Sequence, residues 1–97
     1  MKPTACLVNT ARGLVVDSDA LADAIEQGKI AGAGLDVVTG EPNITASNRL
    51  LKLDRVVVLP HIGSATIETR TEMAMHSVQN LLAGLGIKDT AWANQSI

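Results

Sequence analysis

Residues 55–66 read RVVVLPHIGSAT, and this stretch decides the fold predicted for the chain. Its three consecutive valines favour a strand that is buried on both faces, which is typical of parallel sheets. Pro60 cannot donate a hydrogen bond to a neighbouring strand, so the strand is expected to end there. Thr66 is a preferred residue for capping a helix, and a long helix from Ile67 to about Leu85 is predicted after it.

Two further apolar stretches precede this strand. Residues 5–9 (ACLVN) and 31–38 (AGAGLDVV) are predicted strands, and the segment between them has the i, i+3, i+4 apolar spacing of a helix. Asp17 or Ser18 is expected to cap this helix, and Gly28 to end it. The order predicts an α/β fold: a partial, doubly wound parallel sheet of three strands, a crossover helix and a long C-terminal helix.

The composition indicates one globular domain. The chain has 97 residues, 46% of them hydrophobic, and a formal net charge of -2. It has no basic cluster and only one aromatic residue, so no nucleic-acid partner is expected. It also lacks an apolar run of about 18 residues, so no membrane association is expected and the cytosol is the expected compartment. The single Cys6 lies in an apolar stretch and is expected to be buried.

Polar side chains follow the carboxyl end of each predicted strand. They are Thr10 and Arg12 after the first strand, Asp36 and Glu41 after the second, and His61, Gly63 and Ser64 after the third. Because parallel strands point the same way, these side chains are expected at one edge of the sheet, where open α/β sheets bind ligands. The joint placement predicts a site more strongly than any single residue does.

Arg12 and His61 have the chemistry to bind and protonate an acid. A guanidinium suits a carboxylate, in a contact worth about 1.5–3 kcal/mol. A carboxylate in contact favours the protonated imidazole, so Glu41 makes His61 a candidate proton donor. Asp36 in a buried strand needs a partner or a ligand. Taken singly, a solvated arginine, a loop glutamate and a structural histidine remain alternatives, and His76 is expected on the surface.

These segments resemble the NAD(P)-dependent D-2-hydroxyacid dehydrogenase family. Residues 1–21 are similar to its strand and turn with a catalytic arginine, and residues 28–42 to its segment with a cofactor-contacting aspartate and an acidic catalytic partner. Residues 59–66 (LPHIGSAT) resemble its histidine motif, and together with NLLAGL at 80–85 they are most similar to its glyoxylate and hydroxypyruvate reductases. The resemblance extends to about residue 88 and implies a Rossmann-like fold.

The resemblance implies an oxidoreductase that transfers a hydride from NAD or NADP, with NADPH slightly favoured, to a small 2-oxo acid, giving a D-2-hydroxy acid. Arg12 would bind the acid's carboxylate and polarise its carbonyl, His61 would donate the proton, and Glu41 would pair with His61. Asp36 would orient the nicotinamide carboxamide. The residues implied at the nicotinamide half of the cofactor are Thr10, Ala11, Arg12, Asp36, His61, Gly63 and Ser64. A homodimer is expected for the full-length protein.

The chain also departs from the family pattern. Family members are far longer, and the chain has no G-x-G-x-x-G phosphate loop, because GAG at 32–34 enters a strand and GLG at 84–86 ends a helix. Residues 1–88 are therefore expected to be the carboxyl-terminal half of a dinucleotide-binding domain, with the long helix leading toward the substrate domain, and residues 89–97 a tail. The starting Met1 is expected to be an internal residue of the longer protein.

Two other classes remain as alternatives. One is a noncatalytic fragment or interaction module, because half of a doubly wound sheet leaves an edge strand and an apolar face uncovered. A hydrolase using Ser64 with His61 has weaker support, since the chain lacks G-x-S-x-G and capping is a simpler use of Ser64. No metal site is expected, because only one histidine is well placed and there is no cysteine pair.

Overall fold

The computed structural model describes residues 1–87, in which strands and helices alternate along the chain. The strands β1 (Cys6–Asn9), β2 (Gly32–Leu35) and β3 (Val56–Val58) form a parallel sheet in the order β1-β2-β3. The helices are α1 (Ser18–Glu26) and α2 (Ile67–Gly84), with 3-10 turns at Gly13–Val15 and Arg49–Lys52. The predicted α/β fold with a three-stranded parallel sheet is confirmed.

The chain divides into two compact units, Met1–Gly63 and a unit that begins at Ser64. The first contains the sheet and α1, and the second contains α2. The boundary predicted at residue 88 and the tail predicted at 89–97 lie outside the described residues, so the domain interpretation stays a prediction. None of the helices within residues 1–87 is long and apolar enough to cross a membrane.

Helix α1 begins and ends at the residues that the sequence indicated. Asp17 caps it, because its Oδ1 accepts a hydrogen bond from the backbone N–H of Ala20 at 3.0 Å. Ser18, the other candidate, instead has its hydroxyl 3.3 Å from the hydroxyl of Thr39. Gly28 follows the helix with φ of 70°, the left-handed conformation that glycine adopts readily.

The hydrophobic core lies between α1 and one face of the sheet. Its buried residues are Leu21, Ala22, Ile25, Ile30, Ala33, Leu35 and Leu50. Leu50 belongs to the second 3-10 turn, which the side chain of Asn48 caps by accepting from the N–H of Leu50 at 2.9 Å. Arg49 in the same turn contacts Asp23 and Glu26 of α1 at 2.7 and 3.0 Å. The long connection between β2 and β3 is therefore attached to α1 by burial and by ion pairs.

The opposite face of the sheet is exposed. Val8 and Val57 lie on it, each paired with Gly34 of the central strand, and they are 72% and 62% exposed. Cys6, two residues before Val8, is also exposed. The prediction that Cys6 is buried and the prediction that the valine strand is buried on both faces are therefore wrong for the described chain. The reason is that side chains alternate along a strand, and α1 covers only one face.

Helix α2 is described within its own unit. Thr66 caps it, as predicted, through its Oγ1, which accepts from the N–H of Thr69 at 3.1 Å. The helix ends at Gly84, one residue before the predicted end, and Gly86 follows with φ of 73°. His76 is exposed, as predicted. No residue of α2 is buried.

Candidate active site

The turn that follows β1 is held by the side chain of Asn9, which is buried. Its Oδ1 accepts a hydrogen bond from the backbone N–H of Ala11 at 3.0 Å, and its Nδ2 donates to the carbonyl oxygen of Arg12 at 2.9 Å. An asparagine that bonds to the backbone two residues onward is typical of an Asx turn. Asn9 therefore fixes the backbone that leads to Arg12.

Gly13 brings this turn against the backbone that follows β2. A Cβ atom at position 13 would lie 2.4 Å from the backbone nitrogen of Thr39 and 2.4 Å from the carbonyl carbon of Val38. Such distances are far inside ordinary van der Waals contact, so only glycine fits without a movement of the backbone. This close approach places Arg12 beside the segment that carries Glu41.

A tight turn after β2 folds Glu41 back toward the end of its own strand. Gly40 is the third residue of this turn and has φ of 98°, which glycine tolerates better than any other residue. The N–H of Glu41 donates to the carbonyl oxygen of Val38 at 3.4 Å, and Glu41 Oε1 accepts from the N–H of Val38 at 2.6 Å. One carboxylate oxygen is thus bound to the backbone, and the other is left to face His61.

His61 and Glu41 form a close pair, with Nδ1 of His61 2.6 Å from Oε2 of Glu41. The pKa of Glu41 lies below its ordinary value of 4.5, because the hydrogen bond with His61 and then that from the N–H of Val38 stabilise the carboxylate. An ionised carboxylate can only accept, so Nδ1 is the donor in this pair. Nε2 makes no hydrogen bond within residues 1–87, and it is the ring nitrogen available to a substrate.

Asp36 lies directly after β2 and is 6% exposed. Its Oδ1 accepts from the N–H of Ile62 at 2.8 Å, and its Oδ2 accepts from the N–H of Gly63 at 2.7 Å. These hydrogen bonds, that from Ile62 first, hold the pKa of Asp36 below its ordinary value of 3.8. The partner that this buried carboxylate was expected to need is therefore the backbone of the residues just after His61.

Arg12, Glu41 and His61 line one cavity of about 240 Å³. Gly13, Leu14 and residues 37–40 complete its wall. The guanidinium of Arg12 donates through Nη1 to the carbonyl oxygen of its neighbour Ala11, and among the described residues it has no other hydrogen bond. The structure therefore brings together, from the ends of three parallel strands, the three residues that the sequence indicated as catalytic.

The other residues predicted to contact a cofactor occupy different positions. Thr10 and Ala11 are exposed and belong to the turn held by Asn9. Gly63 contributes its N–H to Asp36. Ser64 is exposed and begins the second compact unit, two residues before the cap of α2. Cofactor contact by these residues stays a prediction.

Sequence reasoning did not single out Asn9, Gly13 or Thr39. An asparagine at a strand end followed by polar residues is a recognisable turn signal, so Asn9 could have been found. Gly13 and Thr39 gave no such signal, because their importance comes from a contact between two turns that lie 26 residues apart. That contact becomes visible only once β1 and β2 are paired.

The side chains of the site suit a small polar ligand, and the described residues contain no G-x-G-x-x-G phosphate loop. Its cavity of about 240 Å³ is smaller than the range typical of larger ligands. The glycines of the GAG and GLG sequences at 32–34 and 84–86 have other uses. A Cβ at Gly32 would lie 2.4 Å from the carbonyl oxygen of Arg55, so Gly32 permits strand pairing, while Gly86 follows the end of α2.

A parallel sheet whose strand ends supply an arginine, a carboxylate and an imidazole to one cavity is typical of α/β enzymes that act on small polar ligands. Residues 1–63 match the family described as D-isomer specific 2-hydroxyacid dehydrogenase, NAD binding domain. Because this match covers most of the chain, the chain belongs to the D-isomer-specific 2-hydroxyacid dehydrogenase family, and the family resemblance of its sequence is confirmed.

Individual relatives agree with this assignment. The chain is 56% identical over 85 residues to glyoxylate/hydroxypyruvate reductase B of Pectobacterium carotovorum, covering 88% of this chain and 26% of the relative. It is 57% identical over 83 residues to glyoxylate reductase of Pyrococcus furiosus, covering 86% of this chain and 24% of the relative. The chain thus spans about a quarter of the length of the curated relatives it matches.

A solved structure gives the same result for the fold. It is the NADPH-dependent glyoxylate/hydroxypyruvate reductase of Sinorhizobium meliloti in complex with NADP and malonate, which is 45% identical to this chain with a TM-score of 0.73. The match covers 84% of this chain and 25% of that chain. The Rossmann-like α/β architecture predicted from the sequence is therefore confirmed.

Proposed function

We propose that this chain carries the catalytic half of the dinucleotide-binding domain of a reductase that converts a small 2-oxo acid into a D-2-hydroxy acid. The observation that carries the proposal is the single cavity lined by Arg12, Glu41 and His61. The relatives named as glyoxylate and hydroxypyruvate reductases support these two acids as substrates. Whole-protein activity depends on the remainder of such an enzyme, since the chain spans about a quarter of the length of these relatives.

Arg12 binds the carboxylate of the acid in this proposal. Its guanidinium lines the cavity, and its one contact among the described residues is a backbone carbonyl that it can exchange for a substrate carboxylate. A planar guanidinium donates two parallel hydrogen bonds to a carboxylate, which fixes both position and orientation. The same positive charge draws electron density toward the carbonyl oxygen of the acid and makes the carbonyl carbon more electrophilic.

His61 supplies the proton. Reduction adds a hydride to the carbonyl carbon and a proton to the carbonyl oxygen, and the protonated imidazole gives up its Nε2 proton in that step. Glu41 accepts from Nδ1, so it fixes the ring orientation and stabilises the positive charge of the imidazolium before the transfer. Because the Glu41 carboxylate is also bound to the N–H of Val38, it cannot turn away from the ring without losing a second hydrogen bond.

NAD or NADP supplies the hydride when bound, and the chain's residues set its surroundings. The match to an NAD binding domain and the solved relative in complex with NADP support this pair of cofactors. Residues 10–12, Asp36 and Gly63 would lie at the nicotinamide, while the phosphate contacts must come from chain outside these residues. The choice of NADPH, the homodimer and the cytosolic location stay predictions.

The test is a chimeric enzyme. The segment of Pectobacterium glyoxylate/hydroxypyruvate reductase B that aligns with this chain is replaced by the corresponding residues of this chain, and NADPH oxidation is followed with glyoxylate and with hydroxypyruvate. We expect reduction of both acids, together with production of the D-hydroxy acid from hydroxypyruvate. A folded chimera that binds NADPH and reduces neither acid would contradict the proposal.

A second candidate, an interaction module without catalysis, is favoured by the exposed apolar face of the sheet. Val8 and Val57 on this face are 72% and 62% exposed, and exposed apolar patches mark association surfaces. Measuring the oligomeric state of the 97-residue chain together with the turnover of the chimera separates the two candidates. A chimera that reduces the acids would eliminate the noncatalytic module, whereas self-association of the chain with a folded but inactive chimera would favour it.

A further inference from the structure

Both carboxylate oxygens of Asp36 accept hydrogen bonds from the backbone of the chain itself. Oδ1 accepts from the N–H of Ile62 and Oδ2 from the N–H of Gly63, at 2.8 and 2.7 Å. No lysine or arginine of the described residues forms an ion pair with this carboxylate. A buried carboxylate is costly without hydrogen bonds, so its position at the end of β2 needs a structural reason.

The residue before these two amides has an unusual backbone. His61 has φ of 58°, and within residues 1–87 it is the only residue other than glycine with a positive φ. The left-handed conformation is unfavourable for an ordinary residue and persists only where its surroundings enforce it. In this conformation the His61 ring reaches Glu41, with 2.6 Å between Nδ1 and Oε2.

We propose that Asp36 is a positioning residue, which holds His61 in the left-handed conformation through the two following amides and thereby directs the imidazole toward Glu41. The importance of this for proton transfer rests on the proposed function. Orientation of the nicotinamide carboxamide is the role that the sequence resemblance implies for Asp36, and positioning of the histidine is a separate role. Positioning of His61 does not require a bound ligand, whereas orientation of the carboxamide requires the cofactor.

Gly63 gives independent support. A Cβ at this position would lie 2.9 Å from Oδ2 of Asp36, and the next nearest atom is the carboxyl carbon of the same residue at 3.9 Å. The absence of a side chain at position 63 therefore allows the carboxylate to approach the backbone. The two residues fit together as a buried acceptor and the donor peptide that must come close to it.

The pKa of Glu41 provides a test of the proposal. The direction in which it changes when Asp36 is altered separates positioning of His61 from a direct effect of the Asp36 charge. The charged groups around Glu41 are His61, Asp36 and Arg12. The hydrogen bond with His61 lowers the pKa of Glu41, whereas the negative charge of Asp36 raises it. Removing only the charge of Asp36 would lower the pKa of Glu41 further, but releasing His61 from Glu41 would raise it toward 4.5.

The experiment is a carbon-13 NMR titration of the Glu41 side-chain carboxyl in the 97-residue chain, with the resonance assigned by its loss in Glu41→Gln. The test variant is Asp36→Asn, which keeps the shape of the side chain but offers only one acceptor oxygen to the two amides. The matched control is Asp17→Asn, which alters another carboxylate bound to a backbone N–H, that of Ala20, on α1. We expect the Glu41 midpoint to rise in Asp36→Asn and to stay unchanged in Asp17→Asn.

A Glu41 midpoint that falls or stays constant in folded Asp36→Asn would overturn the proposal. If that variant does not fold, Gly63→Ala decides the matter, because it keeps the charge of Asp36 and displaces only its contact with the backbone. An upward shift in Gly63→Ala supports positioning, and an unchanged midpoint refutes it. Since the titration needs no catalysis, an inactive chimera with an upward shift in Asp36→Asn would reject the proposed function and retain the positioning role.

Discussion

Two parts of the candidate site are held in different ways. The imidazole loop, residues 59–63, is fixed by two carboxylates, since Asp36 binds its backbone and Glu41 binds its ring. The arginine turn, residues 10–13, is fixed by a neutral asparagine and by close packing of Gly13, and its guanidinium contacts only a backbone carbonyl. The imidazole is therefore oriented before any ligand arrives, whereas the guanidinium is left available for a ligand.

The largest expected effect is on the imidazole loop. In the chimeric reductase, His61→Ala should lower kcat by about 10²–10⁴-fold, because a positioned general acid contributes this much to rate. Affinity for NADPH should change much less, since the substitution removes the proton donor and leaves the cofactor's phosphate contacts in place. Steady-state kinetics with glyoxylate and a fluorescence titration with NADPH give the two quantities.

His76→Ala is the matched control for this substitution. His76 is exposed on α2, so its replacement should leave kcat unchanged. Equal losses of kcat in the two variants, or a loss of NADPH affinity in His61→Ala with chemistry intact, would remove the role of proton donor from His61.

The next effect is on the arginine turn. Arg12→Ala should raise KM for the acid by about tenfold to a hundredfold, which corresponds to a charge-assisted contact of about 1.5–3 kcal/mol. It should lower kcat as well, because polarisation of the carbonyl is lost. Arg12→Lys keeps the charge but not the planar pair of donors, so its KM should fall between the two.

Arg70→Ala, which removes an exposed arginine of α2, controls for the change in net charge and should not alter KM. If Arg12→Ala changes kcat with KM for glyoxylate unaffected, the acid-binding role of Arg12 is wrong. In that case the arginine turn and the imidazole loop could no longer be assigned separately to binding of the acid and to proton transfer.

The third effect concerns stability. Gly13→Ala should destabilise the chain by about 1–3 kcal/mol, because its Cβ would meet backbone atoms of Val38 and Thr39 that cannot rotate away. Gly84→Ala is the control, since a Cβ there meets nothing within 4 Å. Urea unfolding followed by circular dichroism measures both. A Gly13→Ala variant as stable as the original chain would mean that the arginine turn is less closely packed than the structure indicates.

The sequence predicted the strands and helix caps around this site better than the hydrogen bonds that hold its residues in place. The valine run and the caps Asp17 and Thr66 are local signals, and a parallel sheet necessarily brings its strand ends to one edge, so Arg12, Glu41 and His61 could be placed together. The bond from Asp36 to Ile62 and Gly63 spans 26 and 27 residues, and no local pattern encodes it. The left-handed backbone of His61 was equally invisible, because it depends on that distant carboxylate.

Burial was the less predictable property of the strands. An apolar run such as residues 56–58 can have the same amino-acid sequence whether one face of the sheet is covered or both are. The number of covered faces is decided by elements elsewhere in the molecule. Cys6 and Val57 are exposed because α1 covers only the face that carries Leu35 and Ala33. Their residue types alone did not distinguish burial from exposure.

The smallest effect is a pH dependence of stability, which the imidazole loop should have and the arginine turn should not. The pKa of Asp36 and that of Glu41 lie below their ordinary values of 3.8 and 4.5. Their stabilising contribution is therefore fully present above these ordinary values and is lost as pH falls through the lower values of the folded chain. The turn held by Asn9 has no carboxylate among its own hydrogen bonds, so its contribution should not vary over this range.

Urea midpoints measured between about pH 6 and pH 3 test this difference. The original chain should lose stability on acidification, and Glu41→Gln should lose less, because it has no charge to protonate and no lowered pKa to contribute. Asn9→Ala should be less stable at every pH, with an acid-dependent loss parallel to that of the original chain. Equal slopes for the original chain and Glu41→Gln would mean that the pair with His61 adds nothing to folding, and that the imidazole loop is held by Asp36 alone.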